Sequence, residues 1–293
     1  TTILVDLGSK KNAYVAGKDA VEFVRLLPTL VDSFGRNGLE ILEVLLGGTT
    51  HDYDGAGILT RVLTPAKRAG RLVTFGDSAF GKADKPTWSY GGVNLYLLSV
   101  NVPKRNGADK NAKSIVLLVE YKSRKCILMG DAEGPTEGTI LKNFDHDFLE
   151  SEGLKLGHHG SEAGTTIPWI QAVKPAYVFA SSDMKWAHPY CTTIERLQNE
   201  GTLTVAKKHP WLCGKGANAS KQYFNHLDHD AIFTTLLFQK QLTGVTDDAE
   251  KATNAKIFKE YDPQDILPDG LVQGNQYRWT VLNNGNLEIT SVF

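Results

Sequence analysis

The chain has 293 residues, of which 41% are hydrophobic and 22% charged, which is the balance of a globular protein that buries a core. Its 32 basic and 33 acidic residues give a formal net charge of -1, so no overall charge steers it toward nucleic acid. The composition argues against a disordered chain, and no apolar run approaches the roughly 20 residues that span a bilayer.

The three cysteines, Cys126, Cys191 and Cys213, are too few and too scattered for a disulfide framework or a CxxC zinc site. We therefore expect a reducing compartment and a cytoplasmic protein. The sequence starts without methionine, directly in a predicted strand, so a signal peptide already removed would leave no trace.

The first third of the chain alternates predicted strands and helices. A buried strand over 2–7 is followed by a helix over 19–34, in which Asp19 is the expected cap. A second strand over 41–46 leads into a polar, glycine-bearing loop over 47–57, and a helix over 58–66 comes next. This β-α-β-loop-α order is typical of a layered α/β protein.

The middle third contains most of the remaining predicted elements. Alternating residues over 93–98 indicate a half-buried strand, and two runs of strand type separated by a short polar turn indicate a hairpin. The predicted strands are 72–75, 93–98, 114–121, 126–129, one beginning at Leu154, and 176–180; the predicted helices are 133–144, 167–173 and 192–201.

The last third is less regular. A strand is predicted over 232–238, a polar insertion over 243–269, and a hairpin around Asn284 and Gly285 that pairs 277–282 with 287–292. We expect two sheets with helices outside. The predicted organisation is a core over 1–206 and a C-terminal elaboration over 207–293 that belongs to the same domain.

Polar residues that could ligate a metal or move protons follow several predicted strands. Asp131 follows one strand, His158 and His159 follow the next, and His188 comes after a third. Carboxylates and neutral imidazoles are the groups that replace the water shell of a divalent cation. Each residue alone is an ordinary cap or turn residue, but caps have no reason to recur at successive strand ends. The sequence thus favours a metal-dependent hydrolase.

Three motifs carry a resemblance to a known family. Gly130-Asp131, the run LKLGHHGS over 154–161, and His188-Pro189 before a helix resemble the metallo-β-lactamase fold, in the branch typified by the hydrolase domain of bacterial competence (DNA-uptake) channel proteins. The resemblance covers roughly residues 2–206. It implies an α/β (α+β) fold, an αββα four-layer sandwich with two metals between the sheet ends. It also implies that Asp131 bridges the metals, that His158 ligates one, and that His188 lines the substrate side.

The signature loop HxHxDH of that family is altered here. Aligned without gaps, the loop keeps Asp54 and has Asp52 at the second histidine, while Thr50 and Gly55 replace the first and last histidines. A shift of one residue would bring His51 into the role of the first ligand. Gly55 offers no side chain, so two complete metal sites are not expected.

The remaining ligands suggest one good cation site and one poorer one. Asp54, Asp131 and His158 would hold one ion, and Asp52, with His51 and the shared Asp131, would form an oxygen-rich second site. Such a set favours manganese or magnesium more than a nitrogen-rich zinc site would, and zinc also remains an option. The expected cofactor is one or two divalent ions, manganese or zinc ahead of magnesium. His188 or His159 would position the substrate or donate a proton to the leaving group.

The favoured substrate class is a phosphodiester, either nucleic acid or nucleotide. The first alternative is a carbonyl hydrolase acting on a lactone, thioester or lactam, because a fold does not fix a function. The second is a degenerate family member that only binds a ligand or a protein partner. Basic residues around the predicted hairpin could meet phosphates, although a solvated turn explains them equally well; they are Lys104, Arg105, Lys110, Lys113, Lys122, Arg124 and Lys125.

Overall fold

A computed structural model describes the strands and most of the middle of the chain. The described residues are 2–5, 41–47, 67–68, 70, 72–75, 77–103, 111–181, 188–203, 212–214, 223–226, 231–234 and 276–292. The helices predicted over 19–34 and 58–66, the loop over 47–57 from residue 48 onward, and the insertion over 243–269 lie outside them.

The strands are numbered in chain order. They are β1 (Thr2–Val5), β2 (Ile41–Gly47), β3 (Leu72–Phe75), β4 (Trp88–Tyr90), β5 (Val93–Ser99), β6 (Val116–Tyr121), β7 (Arg124–Leu128), β8 (Gly153–Lys155), β9 (Tyr177–Ala180), β10 (Leu212–Gly214), β11 (Tyr223–His226), β12 (Ile232–Thr234), β13 (Gln276–Val281) and β14 (Leu287–Val292). The described helices are α1 (Gly134–Asn143), α2 (His146–Leu149), α3 (Ile167–Val173) and α4 (Cys191–Asn199), and short 3-10 turns occur at Asn111–Lys113 and Gly157–Gly160.

The largest described unit is a mixed seven-stranded sheet in the order β12-β9-β8-β7-β6-β5-β4. Strands β4 to β7 pair antiparallel with their sequence neighbours, whereas β7, β8, β9 and β12 run parallel. A separate parallel sheet has the order β1-β2-β3. The chain is therefore a mixed α/β protein, as the sequence predicted. Its described residues also form two two-stranded sheets, β10-β11 and β13-β14.

Strand β5 is covered on both faces. Its residues Tyr96 and Leu98 belong to the core formed with the helices, and Leu97 packs on the other face in a cluster that includes Val73 and Phe75 of β3. The prediction of a half-buried strand was therefore wrong for this part of β5. Its near-continuous apolar run is the pattern of a strand with cover on both faces.

The helices cover the first of these faces. Ile140 of α1, Trp169 and Ile170 of α3, and Ile194 and Leu197 of α4 are completely buried in that core. The spacing of three residues between Ile194 and Leu197 places both side chains on one side of α4. Pro135 and Pro168 lie in the first turns of α1 and α3, where a missing backbone N–H costs nothing.

The C-terminal hairpin of β13 and β14 contacts the turn between β6 and β7. Lys122 Nζ donates to Asn283 O at 2.7 Å, and Arg124 Nε donates to Gly285 O at 2.9 Å. The hairpin itself was predicted with nearly these bounds, whereas β4, β10, β11 and α2 were not. The division at residue 206 stays a prediction.

Two further observations concern the predicted compartment. Cys191 is disulfide-bonded, a state that is typical of oxidising compartments and rare in reducing ones, so it argues against the reducing compartment expected from the cysteine count. Within the described ranges, no helix is both long and apolar enough to cross a membrane.

Candidate functional site at the carboxyl edge of the large sheet

Three neighbouring parallel strands bring the predicted residues together. The carboxyl ends of β7, β8 and β9 lie at the same edge of the sheet, and Asp131, the pair His158 and His159, and Ser181 follow them. His188 joins the group: its ring centroid lies 5.2 Å from that of His158 and 6.2 Å from that of His159. Edges of this kind form clefts in which ligands bind. His51, Asp52 and Asp54 lie outside the described residues.

The two histidines project from a tight turn with unusual backbone geometry. His158 and His159 have φ angles of 43° and 57°, in the left-handed region that residues other than glycine rarely adopt. Gly160 has φ 84°, and a Cβ there would lie 2.6 Å from Pro189 Cβ. A Cβ at Gly157 would overlap the carbonyl oxygen of Ala132. Gly157 and Gly160 of the motif GHHG therefore avoid steric clashes, and the two histidines adopt a strained backbone conformation. Backbone strain of this kind is concentrated at functional sites.

Glu137 of α1 holds the segment that follows this turn. Its side chain is fully buried, and it accepts hydrogen bonds from Thr165 N at 2.5 Å, Thr166 N at 2.9 Å and Thr166 Oγ1 at 2.8 Å. Burial raises the pKa of the Glu137 carboxyl, and these hydrogen bonds and the charge of Arg196 oppose that rise. The carboxylate thus supplies acceptors for two backbone N–H groups that would otherwise be orphaned.

The turn that carries Asp131 is fixed from three sides. Lys155 Nζ donates to Gly130 O at 2.6 Å, and His158 N donates to the same oxygen at 3.3 Å. Asp131 N donates to Ser114 Oγ at 2.9 Å. The backbone on both sides of the Asp131 side chain is therefore tied to neighbouring segments of the sheet.

His159 and Asp131 face each other through two hydrogen-bond acceptors. His159 Nδ1 bonds to the carbonyl oxygen of Ser181, which can only accept, so Nδ1 carries the hydrogen. In a neutral ring Nε2 then holds a lone pair, and it lies 3.2 Å from Asp131 Oδ1. Burial lowers the pKa of His159, as does the charge of Lys155, against the opposing effect of Asp131. The Nε2 lone pair of His159 and the Asp131 carboxylate repel each other at this distance unless a cation lies between them.

A proton or a metal ion could supply that charge. Two donors that each lie about 2.1 Å from one ion are themselves about 3.0–3.4 Å apart, which includes the distance from His159 Nε2 to Asp131 Oδ1. The donor pair thus fits a divalent cation. Among the residues that the structure describes, no three His, Cys, Asp or Glu side chains are arranged to hold a metal ion.

His158 makes a different set of contacts. Its Nδ1 lies 2.8 Å from Glu133 Oε1 and 3.3 Å from Asn111 Nδ2, and Asn111 Nδ2 donates to the same Glu133 oxygen at 2.9 Å. The histidine beside Asp131 is thus His159, one residue later than the ligand that the resemblance implies. The predicted role of His158 as a metal ligand stays a prediction, and its Nε2 would have to fulfil it.

His188 is the most buried of the three histidines. It is 6% exposed, and its ring meets that of Tyr190 edge-on at 4.9 Å. Burial lowers the pKa of His188 to about 3, helped by the nearby charges of His158 and His159 and opposed by Asp131. At neutral pH His188 is an uncharged hydrogen-bonding group, which suits the predicted positioning of substrate better than proton donation.

This lowered pKa predicts a loss of stability in acid. The unfolded chain binds a proton at His188 near pH 6.5, whereas the folded protein binds it near pH 3. Stability is therefore lost as pH falls through this window, by up to about 1.4 kcal/mol per pH unit. We expect thermal unfolding of His188→Gln to depend less on pH between 6.5 and 4 than wild type. The opposite effect of Glu137 is common to both proteins and cancels, so parallel curves would contradict the assignment.

Sequence reasoning missed the residues that hold the site in place. Glu133, Asn111, Ser114 and Lys155 act on the histidines or on the Asp131 turn, and none was singled out for it. The only available signal was that Glu133 and Lys155 flank the same strand ends as Asp131 and His158. Their partners come from distant parts of the sequence.

Of the predicted basic residues, Lys113 lies next to the site, in the 3-10 turn between Asn111 and Ser114, whereas Lys122, Arg124 and Lys125 lie away from it. Lys122 and Arg124 lie at the amino end of β7, opposite Asp131, and donate to carbonyl oxygens of the C-terminal hairpin. Lys125 Nζ donates to Phe148 O at 2.9 Å. These three side chains therefore bind their own chain. Lys104, Arg105 and Lys110 lie outside the described residues.

Comparison with known proteins adds a partial similarity to three bacterial proteins, one of which is a competence protein. No family model matches the chain. It is 32% identical over 108 residues to ComE operon protein 3 of Bacillus subtilis, covering 36% of this chain and 13% of that protein. It is 32% identical over 112 residues to competence protein ComA of Neisseria gonorrhoeae, covering 38% and 16%. It is 28% identical over 174 residues to recombination protein 2 of Haemophilus influenzae, covering 55% and 20%. The chain thus spans a fifth or less of the length of these relatives.

Proposed function

We propose that the chain is a metal-dependent hydrolase of the metallo-β-lactamase fold that cleaves phosphodiester bonds, with DNA as the favoured substrate. The observation that carries the proposal is the pair of acceptors formed by His159 Nε2 and Asp131 Oδ1, 3.2 Å apart. The choice of substrate rests on the partial similarity to proteins named for competence and recombination. The proposed architecture is an αββα four-layer sandwich.

The proposed site combines described and undescribed residues. Asp131 and His159 would bind the cation, and His158 Nε2 and the loop of His51, Asp52 and Asp54 would supply the remaining ligands. Manganese or zinc fits this mixed oxygen and nitrogen set better than magnesium. A bound divalent ion supplies the acidity that makes water a nucleophile at neutral pH.

The other residues of the proposed site position the substrate or the Asp131 carboxylate. His188, uncharged and buried beside the other two rings, borders the space where the phosphodiester lies. Lys155 and Ser114 hold the backbone around Asp131 and so fix the direction of its carboxylate. This preorganisation spares the site from reordering when substrate binds.

The test is hydrolysis by the purified chain after chelation and reloading with manganese, zinc or magnesium. We expect cleavage of bis(p-nitrophenyl) phosphate and of a single-stranded DNA, restored by manganese or zinc and lost with EDTA. Cleavage of p-nitrophenyl acetate or a lactone without any phosphodiester cleavage would favour a carbonyl hydrolase instead. Failure on every substrate, with no metal retained by elemental analysis, would contradict an enzymatic role and favour a binding protein.

A further inference from the structure

Glu133 occupies a helix-capping position but does not cap. It is the residue before α1, and its side chain makes no capping hydrogen bond to the helix. Serine, threonine, aspartate and asparagine are the usual residues there, and the Glu133 side chain satisfies none of the free N–H groups of the helix end. The Glu133 side chain, only 15% exposed, lies instead against His158.

Two donors converge on one oxygen of this carboxylate. His158 Nδ1 lies 2.8 Å and Asn111 Nδ2 2.9 Å from Glu133 Oε1. The distance of 3.3 Å between Asn111 Nδ2 and His158 Nδ1 follows from the shared acceptor. Because a carboxylate oxygen accepts, the hydrogen of the neutral His158 ring belongs on Nδ1 and the lone pair on Nε2. Asn111 holds the carboxylate in the orientation that this bond needs.

The same arrangement holds the neighbouring histidine. His159 Nδ1 donates to the carbonyl oxygen of Ser181, after β9, as His158 Nδ1 donates to Glu133, after β7. Each ring of the two-histidine turn is thus held through Nδ1 by an oxygen from an adjacent strand end. In both rings Nε2 is the nitrogen left with a lone pair.

We propose that Glu133 is a positioning residue that holds His158 in the tautomer with hydrogen on Nδ1, so that the lone pair of Nε2 is left as a nitrogen donor. The use of that donor rests on the proposed function, but the tautomer does not. When one ring nitrogen of a histidine binds a metal, a carboxylate that accepts the N–H of the other ring nitrogen fixes the tautomer and the ring orientation. Removal of such a carboxylate costs about 10–100-fold in metal affinity or activity.

The experiment reads the tautomer directly. The full chain is labelled with isotopic histidine and studied by nitrogen–proton NMR with a chelator present, in mildly alkaline buffer where histidine is ordinarily neutral. Signals of His158 are identified by their loss in His158→Asn. We expect the hydrogen of His158 on Nδ1 in wild type and on Nε2, the form that free imidazole side chains prefer, in Glu133→Ala. Glu133→Gln, which keeps an oxygen acceptor, should retain part of the Nδ1 form.

His159 serves as an internal reference, because its acceptor is a backbone carbonyl that the substitution leaves in place. Glu150→Ala removes an exposed carboxylate paired with Lys174 and should leave the His158 signals unchanged. Hydrogen on Nε2 of His158 in wild type would overturn the proposal even if Glu133→Ala failed to fold, and so would an unchanged tautomer in a folded Glu133→Ala. An inactive protein with the expected tautomers would refute the hydrolase function and leave the role of Glu133 standing.

Discussion

Replacing Asp131 by alanine is expected to lower phosphodiester hydrolysis by at least about 100-fold, because residues that merely support a metal ligand already contribute about 10–100-fold. Asp131 provides the only carboxylate paired with His159 among the described residues. Its backbone N–H bond to Ser114 does not need the side chain, so the turn should survive the substitution. Kinetics with reloaded manganese and zinc, beside circular dichroism and thermal unfolding, would measure both effects.

Two variants make this experiment specific. Asp131→Asn keeps the size of the side chain and removes its charge, and we expect a loss similar to that of alanine. Asp147→Ala removes an exposed carboxylate on α2, a helix that lies near Lys125 at the opposite end of β7, and should retain full activity. Activity close to wild type in a folded Asp131→Ala would show that this carboxylate is not part of the site and would contradict the proposed function.

Replacing Gly160 by alanine is expected to cost about 2–5 kcal/mol of stability. A side chain at φ 84° costs about 1–2 kcal/mol, and a Cβ placed 2.6 Å from Pro189 Cβ adds about 1–3 kcal/mol of overpacking. Since Gly160 O also accepts the hydrogen bond of Tyr190 N at 2.9 Å, relief of the clash would displace His188. Chemical denaturation would measure the loss.

Two other glycines separate the conformational cost from the cost of overpacking. Gly138 lies in α1 with open space around its Cβ position, so Gly138→Ala should stabilise the protein by about 0.5–1 kcal/mol. Gly201 has φ 67° and no atom near the Cβ position, so Gly201→Ala should show only the conformational cost of about 1–2 kcal/mol. Equal losses for Gly160→Ala and Gly201→Ala would mean that the contact with Pro189 is not tight.

The sequence predicted the sheet edge better than the details of the site. Apolar runs ending on Gly130 and Gly157 mark where β7 and β8 stop, and parallel neighbours must end on the same side, so Asp131 and the two histidines were expected to meet. Which histidine faces Asp131 depends on the left-handed backbone of residues 158 and 159, and a sequence pattern does not distinguish two adjacent identical residues in such a turn.

The supporting contacts were beyond prediction for a related reason. Asn111 reaches Glu133 and His158 from 22 and 47 residues away. Glu133 had the appearance of an ordinary helix start, because helices commonly carry acidic residues in their first turn. The cover on both faces of β5 depends on β3, and nothing in residues 93–98 indicates which strand packs on them.

The residues of the candidate site follow the last paired residue of each strand. β7 ends at Leu128 and β8 at Lys155, before Asp131 and His158 begin the turns that carry them. A substitution in those turns at a position other than Gly157 or Gly160 need not disturb the pairing that holds the sheet together, so the residues of this edge can change while the scaffold persists. Libraries that vary this rim and keep both glycines and the strands should therefore yield many folded proteins.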